Sequence, residues 1–466
     1  MALTFFNTFT RSLEVFKPIS EGKVGLYTCG PTIYNFAHIG NFRAYAFEDL
    51  LRRYLEYKGY DVFHVMNLTD VEDKIIKACR ETGKPLKAIT GQFATAFFED
   101  IRALRIKPAH LYPAATDYIP EMVAMIKKLR ENGHTYEIRG STYFKISTFS
   151  DYGKLSHMNL NQLQAGASGR VDADEYESDN ARDFALWKAW DENDGDVFWE
   201  TELGKGRPGW HIECSAMSNK HLGPHFDIHC GGVDNIFPHH ENELAQSRCA
   251  TGEPFVNYWL HCAHLVVEGR KMSKSLGNFY TLRDLLGRGT DPLILRWALL
   301  STHYRQPNNF SFDVLDAAGR ALGRIRDFRL SLSGDFPSNG SDLTDQCAKC
   351  AAEFEAEMDN DLNISGALRA VFNFIRDVNK ELAGRGVSKA GAANAIGLLD
   401  QLDAVTGIFR PGVDDEAPPE VVEMMVARQQ ARRDRNFAES DRLRDAMQAA
   451  GWLVEDTPKG PRIKKA

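Results

Sequence analysis

A chain of 466 residues, 43% hydrophobic and 26% charged, has interior enough for full cores and a length that points to about three domains. No apolar run approaches bilayer-spanning length, Met1-Ala2-Leu3-Thr4-Phe5-Phe6 lacks the basic stretch of a secretory leader, and eight cysteines without export argue against a disulfide framework. The expectation is a cytoplasmic protein without a membrane span. The net charge of −8 excludes general attraction to nucleic acid, so any such contact requires a local basic patch.

Val24-Gly25-Leu26-Tyr27 reads as a buried strand closed by the Gly30-Pro31 turn. Cys29 then sits at a strand's carboxyl end, the edge where open α/β sheets bind ligands. His38-Ile39-Gly40-Asn41 lies where the next helix begins, and a helix start attracts phosphate. Phe47, Leu50, Leu51, Tyr54 and Leu55 continue that helix at helical spacing until Gly59. Val62 to Leu68 is a second parallel-strand candidate. Thr69, at its end, either faces the site or caps a helix from Val71 to Arg80.

Ile119 to Asn132 predicts an amphipathic helix, and Thr135 to Ile146 a hairpin turning at Arg139-Gly140-Ser141; together they read as an insertion in a nucleotide fold. Residues 164–182 mix glycine with acids and predict a surface loop without chemistry. Gly204-Lys205-Gly206-Arg207-Pro208-Gly209 matches G-x-G-x-x-G literally. Pro208 and two basic side chains crowd it, and no strand-helix-strand unit ending in a ribose-binding acid surrounds it, so no dinucleotide site is expected there.

Lys271-Met272-Ser273-Lys274-Ser275, followed by the turn Leu276-Gly277-Asn278, offers several donors to phosphate oxygens from a loop. Leu293 to Leu300 is helical. From Phe312 onward, helical periods over residues 315–330, 343–358, 364–383 and 390–405 predict a bundle. Its Cys347-Ala348-Lys349-Cys350 is a lone pair in a helix, expected to be buried rather than metal-binding. A proline-bearing linker from Arg410 to Pro419 precedes a helix from Val421 to Ala450 that carries Arg428, Arg432, Arg433, Arg435, Arg442 and Arg444. Met424 to Ala466 holds ten basic and six acidic residues, a local +4. With Trp452 and the Lys-Arg tail, this patch predicts contact with RNA.

His38-Ile39-Gly40-Asn41 and the KMSKS stretch together resemble the paired signature of class I aminoacyl-tRNA synthetases. Tyr27-Thr28-Cys29-Gly30-Pro31-Thr32, Gly209-Trp210-His211-Ile212-Glu213-Cys214-Ser215-Ala216-Met217 and Phe237-Pro238-His239-His240-Glu241-Asn242-Glu243 narrow the resemblance to the cysteinyl-tRNA synthetases. Asp183-Phe184-Ala185-Leu186-Trp187-Lys188, Asp361-Leu362-Asn363 and Glu455-Asp456-Thr457-Pro458 extend it over nearly the whole chain.

The resemblance implies an α/β architecture: a Rossmann-like parallel-sheet catalytic domain over 1–311, an α-helical bundle over 312–409, and a linker with a small anticodon-binding module over 410–466. The catalytic domain would carry an insertion at about 101–200 and the KMSKS region at about 260–311. It implies a cysteine-tRNA ligase that uses ATP with Mg2+ to form an aminoacyl-adenylate and then passes cysteine to the terminal ribose of tRNA(Cys). His38, Asn41, Lys271 and Lys274 would be catalytic, with Gly40 and Ser273 joining them around ATP. Asn41 keeps a donor but departs from the literal HIGH pattern.

One Zn2+ per chain would be held by Cys29, Cys214, His239 and Glu243, and Cys29, Gly30, Thr69, Trp210 and His239 would surround the substrate cysteine. Spacing supports His239 and Glu243, four apart if Pro238 starts a helix. His240, three from Glu243, is not separated from His239 on that ground, and His211, His225 and His229 are further candidates. Trp210 either walls the pocket or belongs to the core. The expected partners are tRNA(Cys), cysteine and ATP, with the chain a monomer and no membrane. The alternative is a ligase that activates cysteine in the same way and joins it to an amino-sugar, as in mycothiol synthesis; such an enzyme would lack the RNA-reading C-terminal module.

Overall fold

The computed structural model describes residues 2–158, 183–273, 276–410, 418–457 and 460–465. The glycine- and acid-rich loop over 164–182, Lys274, Ser275, Pro411 and Pro458 lie outside the described residues. The chain divides into two compact units: Met1–Leu315 with Ala356–Gly366, and Asp316–Glu355 with Ala367–Ala466.

The first unit is built on a four-stranded parallel sheet ordered Val256–Cys262, Phe226–Gly232, Lys23–Thr28, Asp61–Met66. Val24, Leu26, Val62, Val65, Ile228 and Leu260 are buried in it, the apolar content that a sheet covered on both faces requires. The chain leaves Lys23–Thr28 in one direction, through the helix Ile39–Tyr57 to Asp61–Met66, and adds Phe226–Gly232 on the other side. This reversal opens a crevice at the carboxyl ends of the two central strands. The helix Ile39–Tyr57 turns Phe42, Phe47, Leu50, Leu51 and Tyr54 inward at the expected period. The next helix begins later than the sequence suggested, spanning Asp73–Thr82 with Glu72 as its cap, so Thr69 has no capping role.

Between the halves of the sheet, the helix Ile119–Glu131 precedes a five-stranded antiparallel sheet whose outer members in the chain are Thr135–Ile138 and Gly204–Pro208. The literal G-x-G-x-x-G run is thus mostly a strand. Gly206 lies so close to its neighbour that a Cβ there would stand 2.1 Å from the Lys188 carbonyl oxygen. The glycine is needed for strand packing, not for phosphate.

Beyond the parallel sheet, Leu265–Val267 pairs with Asn308–Phe310 and with the two-residue strand Arg270–Lys271, and the helices Leu282–Leu286 and Pro292–Leu300 follow. Asp361, from the first unit's second segment, accepts from the Tyr304 hydroxyl (2.6 Å), Arg305 Nε (2.6 Å) and the Phe6 amide (2.8 Å), while Asp359 accepts from the Tyr54 hydroxyl (2.7 Å).

The second unit is helical until its last residues. Cys350 is buried and Cys347 half-buried on the helix Thr344–Asp359, and neither joins a metal-binding group among the described residues. The expected single helix from Val421 to Ala450 is two, Pro419–Arg433 and Phe437–Ala449, broken where Arg435 takes a left-handed φ of 59° and Asn436 caps the second. A terminal hairpin, Trp452–Thr457 with Gly460–Lys465, closes the module. Trp452 is 6% exposed and packs with Val421 and Met447, so it supports the module instead of presenting a face to RNA. Among the described residues no helix is long and apolar enough to cross a membrane.

Candidate active site and metal centre

Cys29 follows the strand Lys23–Thr28 into the crevice, its amide held by the Cys230 carbonyl at 3.2 Å. Gly30 comes next because its backbone passes directly against Asn67: a Cβ would lie 1.8 Å from the Asn67 carbonyl oxygen. Its amide, a group expected near the substrate, already donates to Asn67 Oδ1 at 2.9 Å. Cys214 arrives from the helix Trp210–Leu222, Glu243 from the helix Glu241–Thr251, and His239 from the turn before it.

The ligand atoms of Cys29, Cys214, His239 and Glu243 all lie within 4.8 Å of one another. A second set, Cys29, His229, His240 and Glu243, meets the same limit and shares two members with the first. The two histidines that sequence spacing left unresolved occupy different places. His239 Nε2 lies 3.0 Å from Glu243 Oε1, its ring stacked on Trp210 (centroids 4.4 Å) and its Nδ1 2.9 Å from His211 Nδ1. His240 Nε2 lies 3.2 Å from the Cys29 sulfur, while its Nδ1 meets His261 Nε2 at 2.8 Å, and His261 Nδ1 meets Thr8 Oγ1 at 2.7 Å. His229 Nε2 holds the other Glu243 oxygen at 3.0 Å. His225 stands apart, bonded to Asn257 Oδ1 at 2.8 Å.

The charges at this cluster follow from burial and mutual contact. Burial alone would push the Glu243 carboxyl up, but His229 and His239 outweigh it and hold it at about 2. Burial pushes His239 down, and Glu243 with Cys214 more than reverses that, to about 10. Burial and the neighbouring imidazoles hold His240 well below its ordinary value. The Cys214 thiol is pushed up by its contact with Cys29 and then by burial. Two thiols, an imidazole and a carboxylate converging within bonding reach of one point form a donor set that fits zinc.

Thr69, buried, donates to Glu213 Oε2 at 3.0 Å and accepts from Asn67 Nδ2 at 3.2 Å, tying the second strand's end to the helix that carries Cys214. At the other side of the crevice His38 caps the helix Ile39–Tyr57. Its Nδ1 accepts from the Asn41 amide at 3.1 Å, and Asn41 Oδ1 accepts from the His38 amide at 3.1 Å. Burial keeps the ring below its ordinary pKa, against the pull of the Asp234 carboxylate. With Nδ1 used as an acceptor, Nε2 carries the proton.

A Cβ on Gly40 would meet the His38 ring at 2.9 Å and the Met272 methyl at 3.3 Å, so the helix start and the KMSKS stretch adjoin. Ile39 also donates its amide to the Tyr280 carbonyl at 3.0 Å. Lys271 is exposed, and Ser273 donates its amide to Asn278 Oδ1 at 2.8 Å; Lys274 is outside the described residues. Asp234 and the His240-His261-Thr8 chain were not singled out from sequence. Gly231-Gly232 at the carboxyl end of a central strand was a signal for Asp234; nothing linear links Thr8 to His261. A cavity of about 810 Å³ lies elsewhere, between the helix Asp73–Thr82 and the antiparallel sheet. Its inner charges neutralise one another, Arg207 with Asp73 and Asp194, and Lys188 with Asp73, and it is assigned no chemistry.

Residues 15–320 match the family of tRNA synthetases class I (C) catalytic domains, 353–410 the DALR domain, and 414–462 the cysteinyl-tRNA ligase anticodon binding domain. A cysteine-tRNA ligase of Brachyspira hyodysenteriae is 48% identical over 472 residues, covering 99% of each chain, and one of Chlamydia muridarum is 48% identical over 482 residues, covering 100% of both. The chain belongs to the cysteine-tRNA ligase family. Among solved structures it resembles the methionyl-tRNA synthetase of Mycobacterium tuberculosis with methionyl-adenylate (TM-score 0.62, 16% identity, 83% of this chain and 92% of that one). It also resembles a putative arginyl-tRNA synthetase of Campylobacter jejuni (0.55, 13%, 83% and 92%). At such identities these two speak for the class I fold alone. As a cysteine-tRNA ligase the protein uses ATP, cysteine and tRNA. The amino-sugar alternative is not favoured, since the match to the anticodon binding domain covers the module such a ligase would lack.

Proposed function

We propose that this cysteine-tRNA ligase selects its amino acid at a zinc ion held by Cys29, Cys214, His239 and Glu243, and activates it on ATP-Mg2+ between His38 with Asn41 and Lys271 with Lys274. The observation that carries the reading is the convergence of those four ligand atoms within 4.8 Å at the carboxyl edge of the central strands. Bound zinc would supply selectivity, because it binds a thiolate tightly and a neutral hydroxyl hardly at all. Shape alone separates cysteine from serine poorly.

The chain's own groups do the rest. Trp210 and His211 fix the plane of His239, His229 anchors Glu243, and His240 steadies Cys29. Thr69 and Gly30 border the amino-acid pocket. His38 Nε2–H is aimed to donate to a phosphate oxygen at the helix start, with Gly40 leaving room for the nucleotide. Lys271, Ser273 and Lys274 would meet the charge that grows on the departing pyrophosphate. No protein nucleophile is required; catalysis is positioning and charge stabilisation.

In domain terms the parallel-sheet unit performs activation and the C-terminal module grips the tRNA. Arg433 ends the first of its helices, Arg435 lies in the exposed turn that follows, and Phe437, which starts the next helix, is 63% exposed, a stacking face near cations. The decisive experiment is X-ray absorption on the purified protein. One zinc per chain, whose shell gains a sulfur on adding cysteine but not serine, is the expected result; metal-free protein that still prefers cysteine overturns the reading.

A further inference from the structure

The helix Ile39–Tyr57 is tied at successive levels to the chain that returns from the KMSKS stretch. At its start the Ile39 amide donates to the Tyr280 carbonyl at 3.0 Å, His38 forms a backbone bridge with Thr281, and the His38 ring sits edge-on to Phe279 (centroids 5.3 Å). Further along, Asp49 accepts at 2.5 Å from Nη2 of Arg296, a buried residue of the helix Pro292–Leu300. Between these two levels stands Arg43.

Arg43 lies five residues after His38, about 7.5 Å along the helix axis, and its side chain is buried. Its Nη2 donates to the Thr302 and His303 carbonyls, both at 2.9 Å, and its Nη1 to the Leu299 carbonyl. These carbonyls stand at and just past the end of the helix Pro292–Leu300, the negative end of its dipole. Arg296 meets a carboxylate; the partners of Arg43 are backbone carbonyls, and its Nε has none among the described residues.

Stability alone does not ask for that arrangement. A buried charge forfeits its hydration, and an apolar side chain of similar volume often serves a fold as well or better. What the guanidinium adds is direction. A planar fork seated on three carbonyls of one turn admits one placement of the helix that carries it. With the Ile39–Tyr280 bond it closes a ring running from the helix start through Thr281, the helices Leu282–Leu286 and Pro292–Leu300, and back to the second turn.

We propose that Arg43 is a positioning residue of adenylate formation: its grip on the Leu299, Thr302 and His303 carbonyls fixes the helix start that bears His38 and Asn41 against the returning KMSKS chain. The inference rests on the reading of that helix start as the phosphate site. Arg43 acts through the placement of His38 and Asn41.

The test compares the full-length protein with Arg43→Met, Arg43→Lys and Leu129→Ala. Leu129 is buried in the insertion, so its truncation lowers stability away from the helix start. Cysteine-dependent ATP-pyrophosphate exchange is measured well below the Tm of every variant. Arg43→Met should lower kcat by about a hundredfold, the scale of a misplacement of about 1 Å, with KM for cysteine unchanged. Arg43→Lys keeps the charge without the fork and should lose about tenfold. Leu129→Ala should keep its kcat although its Tm falls. An undiminished rate in either Arg43 variant overturns the proposal, in the methionine variant because nothing was being positioned, in the lysine variant because charge alone then suffices. Should the methionine variant not fold, the lysine variant decides. Equal loss in Leu129→Ala, or a rise in KM for cysteine matching the fall in kcat, also overturns it. His38→Ala tests the reading beneath. If it keeps its rate, the helix start is not the phosphate site and the inference falls with that reading; if it is slow while the Arg43 variants are not, the role of Arg43 alone is lost.

Discussion

At the proposed metal edge of the crevice Cys214, His229, His239, His240, Glu243 and His261 are each 4% exposed or less. At the proposed nucleotide edge His38, Gly40 and Asn41 are half-buried and Lys271 is exposed. The first edge is a closed network in which Glu243 is held by two histidines and Cys29 by a third. The second rests on one helix cap and a few backbone bonds such as Ile39 to Tyr280. The difference matches the two tasks proposed for them. Discriminating sulfur from oxygen needs fixed donors in a dry site, whereas ATP must enter and pyrophosphate must leave. A single substitution at the metal edge should therefore be all-or-none, and one at the nucleotide edge graded.

The largest effect expected is from Cys214→Ser. A hydroxyl is a poor substitute for a thiolate, so zinc content measured by atomic emission should fall to background and cysteine-dependent ATP-pyrophosphate exchange should drop by a thousandfold or more, on the order of losing a first ligand entirely. A variant that kept zinc and exchanged pyrophosphate would show that the second set of donors suffices.

Next in size is Lys274→Ala, expected to lower kcat for adenylate formation by about a hundredfold with little change in the Michaelis constant for cysteine. Lys220→Ala is the control, since Lys220 sits away from the motifs, 3.4 Å from Glu121. An equal loss at Lys220 would mean that general charge, not a positioned ammonium, was acting.

A smaller effect, about tenfold on tRNA affinity, is expected from Phe437→Ala, the loss of one stacking face. Pyrophosphate exchange should be untouched, which places the defect outside both edges of the crevice. Filter binding with tRNA transcript measures it; unchanged affinity would remove Phe437 from the RNA face.

The contrast between the edges also sets how much was legible in the sequence. Parallel strands and the place of Cys29 follow from short apolar runs and turn residues, which are local signals, whereas the reversal point depends on strand order and appears only in the fold. The quartet Cys29, Cys214, His239 and Glu243 came with the family resemblance, and only the last two had supporting spacing. The chain of side chains behind Cys29 was illegible because His261 and Thr8 reach His240 through tertiary packing. The C-terminal module misled for a physical reason. An aromatic residue in a basic stretch reads as a stacking platform, but Trp452 opens a strand that folds onto Val421 and Met447, while Phe437 starts a helix behind an exposed turn. The break at Asp434-Arg435-Asn436 was missed because arginine favours a helix, and Asn436 acts as a cap only once Arg435 turns left-handed.

Asn41 is where the nucleotide edge can be tested most finely, because the side chain has two jobs that two substitutions separate. Its Oδ1 closes the helix cap with the His38 amide, a bond whose loss costs about 1 kcal/mol of stability. Its amide nitrogen is the proposed donor to ATP. Asn41→Ala removes both functions and should lower kcat for adenylate formation by about tenfold, at the weak end for a half-buried donor, together with a small fall in Tm. Asn41→His replaces the amide with a ring that can still donate, and should recover most of the rate even where the cap stays weakened. If the two variants lose rate equally and in step with Tm, Asn41 works only by capping the helix. The phosphate contacts on this side would then rest on His38 Nε2 alone.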